Sequence, residues 1–74
     1  MNHEFKIGDE VRVRRGIEIA QEGETGLWGK EATISNIDNF AFPVELTFKD
    51  PKVQEYHEGL GGRRFDYCEL HKIQ

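Results

Sequence analysis

The sequence predicts an all-β domain: a small five-stranded barrel with a long early loop and a short 3₁₀ turn before the last strand. Three observations carry this expectation. Short segments alternate apolar and polar residues with the two-residue period of a strand. Gly8, Gly16, Gly23, Gly26 and Gly29 punctuate the first third, and Gly59, Gly61 and Gly62 cluster near the end. The 74 residues leave room for one core and no second domain. Closure is favoured over an open sheet because it removes the edges that invite aggregation.

The first strand is read from Val11 and Val13 alternating with Arg12 and Arg14, after the turn Gly8-Asp9. In the second, Ala32 and Ile34 alternate with Thr33 and Ser35 and lead to Ile37. The third runs Val44, Leu46 and Phe48 against Glu45, Thr47 and Lys49, between Pro43 and Asp50-Pro51. Arg63-Arg64-Phe65 reads as a short fourth strand and Leu70–Ile73 as a fifth, with a 3₁₀ turn over Asp66-Tyr67-Cys68-Glu69 between them. The best helical window, Lys52–Glu58, is too short to count for much and is read as a turn or loop. Residues 15–27 form the long loop, expected to be the most mobile ordered part of the chain. The inward set is then Phe5, Ile7, Val11, Val13, Ala32, Ile34, Ile37, Val44, Leu46, Phe48, Phe65, Leu70 and Ile73.

Composition narrows the function. Hydrophobic residues make up 36% and charged residues 32%, and no apolar run approaches the ~20 residues a membrane span needs. The opening MNHEFKIGDE is acidic and polar, unlike a secretory signal, so a cytoplasmic protein is expected. Ten basic residues against fourteen acidic ones give a net charge of −4, which opposes nonspecific binding to polyanions. A single cysteine cannot form an internal disulfide.

The order of these signals resembles the SH3-like barrel. Four stretches carry the resemblance: Phe5-Lys6-Ile7-Gly8-Asp9-Glu10-Val11-Arg12-Val13, Gly26-Leu27-Trp28-Gly29-Lys30-Glu31-Ala32-Thr33-Ile34, Phe42-Pro43-Val44-Glu45-Leu46-Thr47-Phe48 and Phe65-Asp66-Tyr67-Cys68-Glu69-Leu70-His71-Lys72-Ile73. Within that superfamily the pattern is similar to small phage and prophage proteins of the YorP-like kind. It is also similar to the electron-transport accessory fold, which is found in the photosystem I reaction centre. The first likeness implies a small protein that docks on and modulates another protein. The second implies an accessory subunit of an electron-transfer complex. SH3-like barrels host many unrelated roles, so fold likeness alone does not choose between them.

No residue set reads as catalytic. Cys68 and His71 lie three apart across a turn, a spacing that does not ensure contact, and Cys68 reads as an unreactive thiol in the closing turn. The same two residues with His57 or His3 make a poor metal set, so neither metal nor cofactor is expected. Gly59-Leu60-Gly61-Gly62 lacks the Lys-Ser/Thr and helix of a phosphate loop. Binding residues are a different matter. Trp28, with Leu27 beside it, sits between glycines that let the chain present a large side chain outward, or else cap one end of the barrel. Phe40 and Phe42 extend an aromatic patch, and Trp, Tyr and Arg are the types enriched at interface hot spots. Arg12, Arg14, Arg15, Arg63 and Arg64 either converge as a basic face, with Trp28 or Tyr67 as stacking platforms, or pair with the abundant carboxylates. The reading that fits best is a non-enzymatic module, monomeric or weakly dimeric, that binds a protein partner. A nucleic-acid-binding barrel of the KOW-like kind is the alternative.

Overall fold

The computed structural model describes residues 5–14 and 24–73. Strands β1 (Glu10–Val13), β2 (Glu31–Ile37), β3 (Val44–Phe48) and β4 (Leu70–Lys72) form one antiparallel sheet in the order β3-β2-β1-β4. A helix, α1 (Pro51–Gly59), and two 3₁₀ turns, Glu24–Leu27 and Tyr67–Glu69, complete the described elements. Most of the loop expected over 15–27 lies outside the described residues, as does Arg15; the final residues of that stretch form the first 3₁₀ turn.

β2 is the longest strand and joins the other elements. It pairs with β1 through Val11↔Ala32 and with β3 through Ile34↔Leu46, so the alternating valines, isoleucines and leucines fall on one face. A bulge between Ile34 and Asn36 shifts the register, and the Ser35 hydroxyl there donates to the Glu45 carbonyl at 3.0 Å.

The sequence predicts five strands, but the described sheet has four and is open. The segment Arg63-Arg64-Phe65 contributes a single bridge, in which Phe65 and Val44 exchange two backbone hydrogen bonds of 2.9 Å. The bridge does not extend because the Arg63 carbonyl turns away from β3 to accept from His57 Nε2 at 2.8 Å. Five residues after Phe65, Leu70 pairs with Val13 on the opposite edge of the sheet. The covalent chain thus crosses from the β3 edge to the β4 edge through the Tyr67–Glu69 turn.

That turn is tightly determined. Asp66 accepts from the Tyr67 N–H at 2.7 Å and Glu69 Oε1 accepts from the Asp66 N–H at 2.9 Å, a reciprocal cap written in the sequence as Asp-x-x-Glu. Glu69 is buried, yet its carboxylate is satisfied: the Arg63 guanidinium donates to both oxygens, at 3.2 and 2.7 Å. The Glu69 carbonyl accepts from the Arg14 N–H at 3.0 Å, which continues the β1–β4 ladder.

The helix is the second correction. Asp50 caps it by accepting from the Lys52 N–H at 2.9 Å, and Pro51 occupies a first-turn position where no N–H is needed. The Gly61 and Gly62 N–H groups take up the Glu58 and His57 carbonyls at its end. Its inner face is Val53, His57 and Leu60, spaced i, i+4, i+7, of which only His57 is buried. The His57 ring lies 4.9 Å from the Phe48 ring and 6.0 Å from that of Phe65. A carbonyl can only accept, so Nε2 carries the proton toward Arg63, and Nδ1 is left buried without a partner among the described residues. Gln54 Oε1 accepts from the Phe48 N–H at 2.8 Å, so the helix covers part of the β3 edge. The Tyr56 ring packs over Gly26, where a Cβ would lie 2.8 Å from Cε2, tying the helix to the first 3₁₀ turn.

The core consists of Val11, Val13, Leu27, Ala32, Ile34, Val44, Leu46, Phe48, Phe65 and Leu70. Phe5 and Ile37 are only partly buried against it. Two residues expected inside are outside: Ile7 is 61% exposed and Ile73 36%. Ile7 sits in the turn closed by the Asp9 N–H bond to the Lys6 carbonyl. Ile73 follows Leu70 by three residues, so strand alternation sends it to the opposite face, with its N–H bonded to Glu10. No described helix is long and apolar enough to cross a membrane.

Two substitutions test this framework. Leu46 is 2% exposed, and Leu46→Ala is expected to destabilise by about 2–5 kcal/mol in thermal or urea unfolding. Glu69→Ala removes the buried carboxylate that accepts from the Arg63 guanidinium and the Asp66 N–H, and is expected to cost at least about 1–3 kcal/mol. Unfolding midpoints near the parent's would contradict the assigned register and the assigned role of the pair.

Candidate functional site

The largest exposed aromatic feature is the β2–β3 connection, residues 38–43. Phe40 is 64% exposed and Phe42 50%. Neither ring faces the core, yet both are held. The Arg64 guanidinium lies 5.1 Å from the Phe40 centroid, and the Arg63 guanidinium lies 5.6 Å from Phe42 and 4.7 Å from Phe65. Arg64 binds the loop's own backbone: Nε donates to the Phe42 carbonyl at 3.0 Å and Nη2 to the Pro43 carbonyl at 2.7 Å. Nη2 also meets Asp38 Oδ2 at 2.8 Å, and Nη1 lies 3.5 Å from Glu45. Asn36 donates to the same Asp38 oxygen at 2.9 Å, and the Asp38 N–H closes the loop onto the Pro43 carbonyl at 2.8 Å. The loop is therefore built around one arginine side chain.

The sequence leaves Trp28 either held outward or packed against one end of the core, and the structure packs it partly against the core. Leu27 is completely buried, and Trp28 is partly buried against the same core. The Trp28 Nε1 is buried and has no hydrogen-bond partner among the described residues. Leu27 ends the 3₁₀ turn at Glu24–Leu27, and its carbonyl accepts from the Lys30 N–H at 3.1 Å. Tyr67 is partly buried as well, its ring stacked on Phe5 at 5.6 Å between centroids.

The described arginines divide into two pairs. Arg63 and Arg64 hold the aromatic loop and the closing turn. Arg12 and Arg14 lie on the outward face of β1, beside an open groove of about 310 Å³ lined with Val13, Gly29 and His71. Three of the four meet carboxylates: Arg12 meets Glu31 at 2.9 Å, Arg63 meets Glu69 and Arg64 meets Asp38. Lys49 lies 2.7 Å from Glu10 and 3.8 Å from Glu31, forming a ladder of exposed charges across the sheet. The Arg12 hydrogen bond, reinforced by the Lys49 charge, holds the Glu31 carboxyl below the usual carboxylate range. The Glu10 hydrogen bond likewise raises the Lys49 ammonium. Asp9 is held low chiefly by the Lys6 backbone N–H at 2.8 Å, with Lys72 at 3.4 Å. Such exposed pairs contribute little to stability.

Cys68 and His71 are not brought together. Cys68 is exposed on the second 3₁₀ turn with Sγ 3.8 Å from Asp66 Oδ2, whereas His71 faces the groove from β4. Among the described residues, no group of three His, Cys, Asp or Glu is arranged to hold a metal ion. The feature that sequence reasoning missed is the role of Arg63 and Arg64 in organising Phe40 and Phe42. Its only trace in the chain is the composition of the two segments, which lie about twenty residues apart and are brought side by side by the Val44–Phe65 bridge.

Comparison with protein-family models, curated proteins and solved structures finds no match.

Partial desolvation, followed by the charges of Asp66 and Glu69, pushes the Cys68 thiol up. The thiolate then forms at higher pH than in an unstructured peptide, where the pKa is about 8.5. Iodoacetamide alkylation followed against pH is expected to show a midpoint above that of a peptide cysteine. Asp66→Asn keeps a capping oxygen but removes one charge, and is expected to lower the midpoint; an unchanged midpoint would rule out the Asp66 contribution and leave desolvation as the cause.

Proposed function

We propose that this chain is a small SH3-like barrel that works without catalysis, by docking on another protein through Phe40 and Phe42. The observation that carries the reading is that these two exposed phenylalanines are held by Arg63 and Arg64, whose own positions are set by Glu69, Asp38 and loop carbonyls. Large apolar rings ordered before binding lose little conformational freedom on contact, and aromatic and arginine side chains dominate hot spots. The short chain crossing from the Phe65 bridge on β3 to β4 at the other edge of the sheet, through a 3₁₀ turn, supports the barrel reading. The likeness to small phage proteins fits a product that modulates a partner in its host cell. Carboxylate pairing of three of the four described arginines, together with the net charge of −4, weighs against the nucleic-acid alternative.

The test is affinity capture from lysate of the source cells, with and without nuclease, followed by titration of the captured partner. The expected partner is a protein retained after nuclease treatment. Phe40→Ala and Phe42→Ala together are expected to weaken binding by at least about 2 kcal/mol without lowering the melting temperature, and salt is expected to matter little. Trp28→Ala is expected to destabilise the fold, because its ring packs on the core. Capture that disappears with nuclease, or that falls with Arg12→Ser and Arg14→Ser but not with the phenylalanine variants, would overturn the reading.

A further inference from the structure

We propose that the groove between β1 and β4 is an oxyanion-binding site, taking a carboxylate or phosphate group on the Arg14 guanidinium. The site shares no residue with the aromatic loop and stands independently of the docking reading. Its geometry follows from strand register. Arg12 pairs with His71 across β1 and β4, which sets those side chains next to each other on the outward face. Arg14, the residue after β1, stands two positions beyond Arg12 and continues the ladder through its N–H to the Glu69 carbonyl, and all three line the groove with Val13 and Gly29. Gly29 closes one end: its N–H donates to the Val13 carbonyl at 2.8 Å, and its φ of 77° is a conformation that favours a residue without a side chain. The volume of about 310 Å³ holds an oxyanion together with the atoms that carry it.

Arg14 is what distinguishes this groove from the other charged surfaces. Among the described residues it is the one arginine with no carboxylate within ion-pair distance. Its Nη1 donates to the Cys68 carbonyl at 3.0 Å, a neutral partner that fixes the plane of the guanidinium without cancelling its charge. A guanidinium has five N–H donors, and the others make no hydrogen bond among the described residues. A planar fork held in this way matches the paired oxygens of a carboxylate or phosphate. The His71 imidazole offers an N–H in either protonation state. Arg12 supplies a second positive charge, partly engaged by Glu31 on the rim at 2.9 Å. Glu31 thus competes with an incoming anion, and the arrangement makes a specific forecast: removing its charge should tighten binding.

The experiment is a titration of the whole chain, followed by amide chemical shifts. Sodium phosphate and sodium acetate are added in separate arms, with sodium chloride balancing ionic strength and serving as a third arm. Saturable shifts centred on Val13, Arg14, Gly29 and His71 with phosphate or acetate, and not with chloride, support the site. Saturation by phosphate alone identifies a phosphoryl source, and saturation by acetate identifies a carboxylate. Arg14→Gln is expected to weaken the saturable binding about tenfold, the loss of one charge-assisted fork. Arg14→Lys, which keeps the charge and loses the fork, is expected to fall between. Glu31→Gln is expected to strengthen binding severalfold; since it removes only exposed ion pairs, with Arg12 and Lys49, it should leave the fold intact. Non-saturating shifts in all arms, equal shifts with chloride, or full binding by a folded Arg14→Gln variant would overturn the proposal.

Discussion

The carboxylate of Glu69 lies almost out of solvent, and three parts of the chain meet on that one residue. Its side chain takes both the Arg63 guanidinium and the Asp66 N–H, while its carbonyl takes the N–H of Arg14, the residue after β1. A buried carboxylate is costly unless charge and hydrogen bonds both compensate it, and here they do. The consequence is topological. The six residues from Phe65 to Leu70 carry the chain from the β3 edge to β4 at the other edge, and Glu69 sets the conformation with which they do so. An apolar residue at this position could fill the space but could not orient Arg63.

The same arginine links the core to the surface. Arg63 lies between the Glu69 carboxylate and the Phe65 ring and reaches Phe42. Arg64, one residue on, turns the other way and organises the loop at 38–43. The exposed phenylalanines are therefore coupled to the closing turn through adjacent arginines. Binding surfaces built on loops gain precision when a rigid element supports them, and this loop has such support from two side chains of one distant segment.

Charge on the outer face is arranged differently. Glu10, Lys49, Glu31 and Arg12 form a solvent-exposed ladder in which each ion has a partner of opposite sign. Arg14 stands apart from it, bonded to a carbonyl. An acidic protein with an oriented arginine that no described carboxylate neutralises has a local potential that net charge does not describe, so composition alone misjudges what such a groove attracts.

The strands with a solvent-facing side are legible from the residues alone. Val11–Val13, Ala32–Ile34 and Val44–Phe48 alternate cleanly because one face is buried and the other wet, and Asp66-Tyr67-Cys68-Glu69 carries its own capping chemistry. These signals are local. The helix at Pro51–Gly59 is legible in its cap and its Val53–His57–Leu60 spacing, but a histidine is read as polar until Phe48 and Phe65 are seen around it. That Arg63-Arg64-Phe65 forms a single bridge follows from long-range contact, since it depends on where the Arg63 carbonyl finds a donor. Packing also sends Leu27 inside and takes Trp28 partly with it, while Phe40 and Phe42 stay out. Aromatic residues in loops have no periodicity to sort them. Their placement follows from which partners arrive from far along the chain, here the core beneath one turn and two arginines beneath the other.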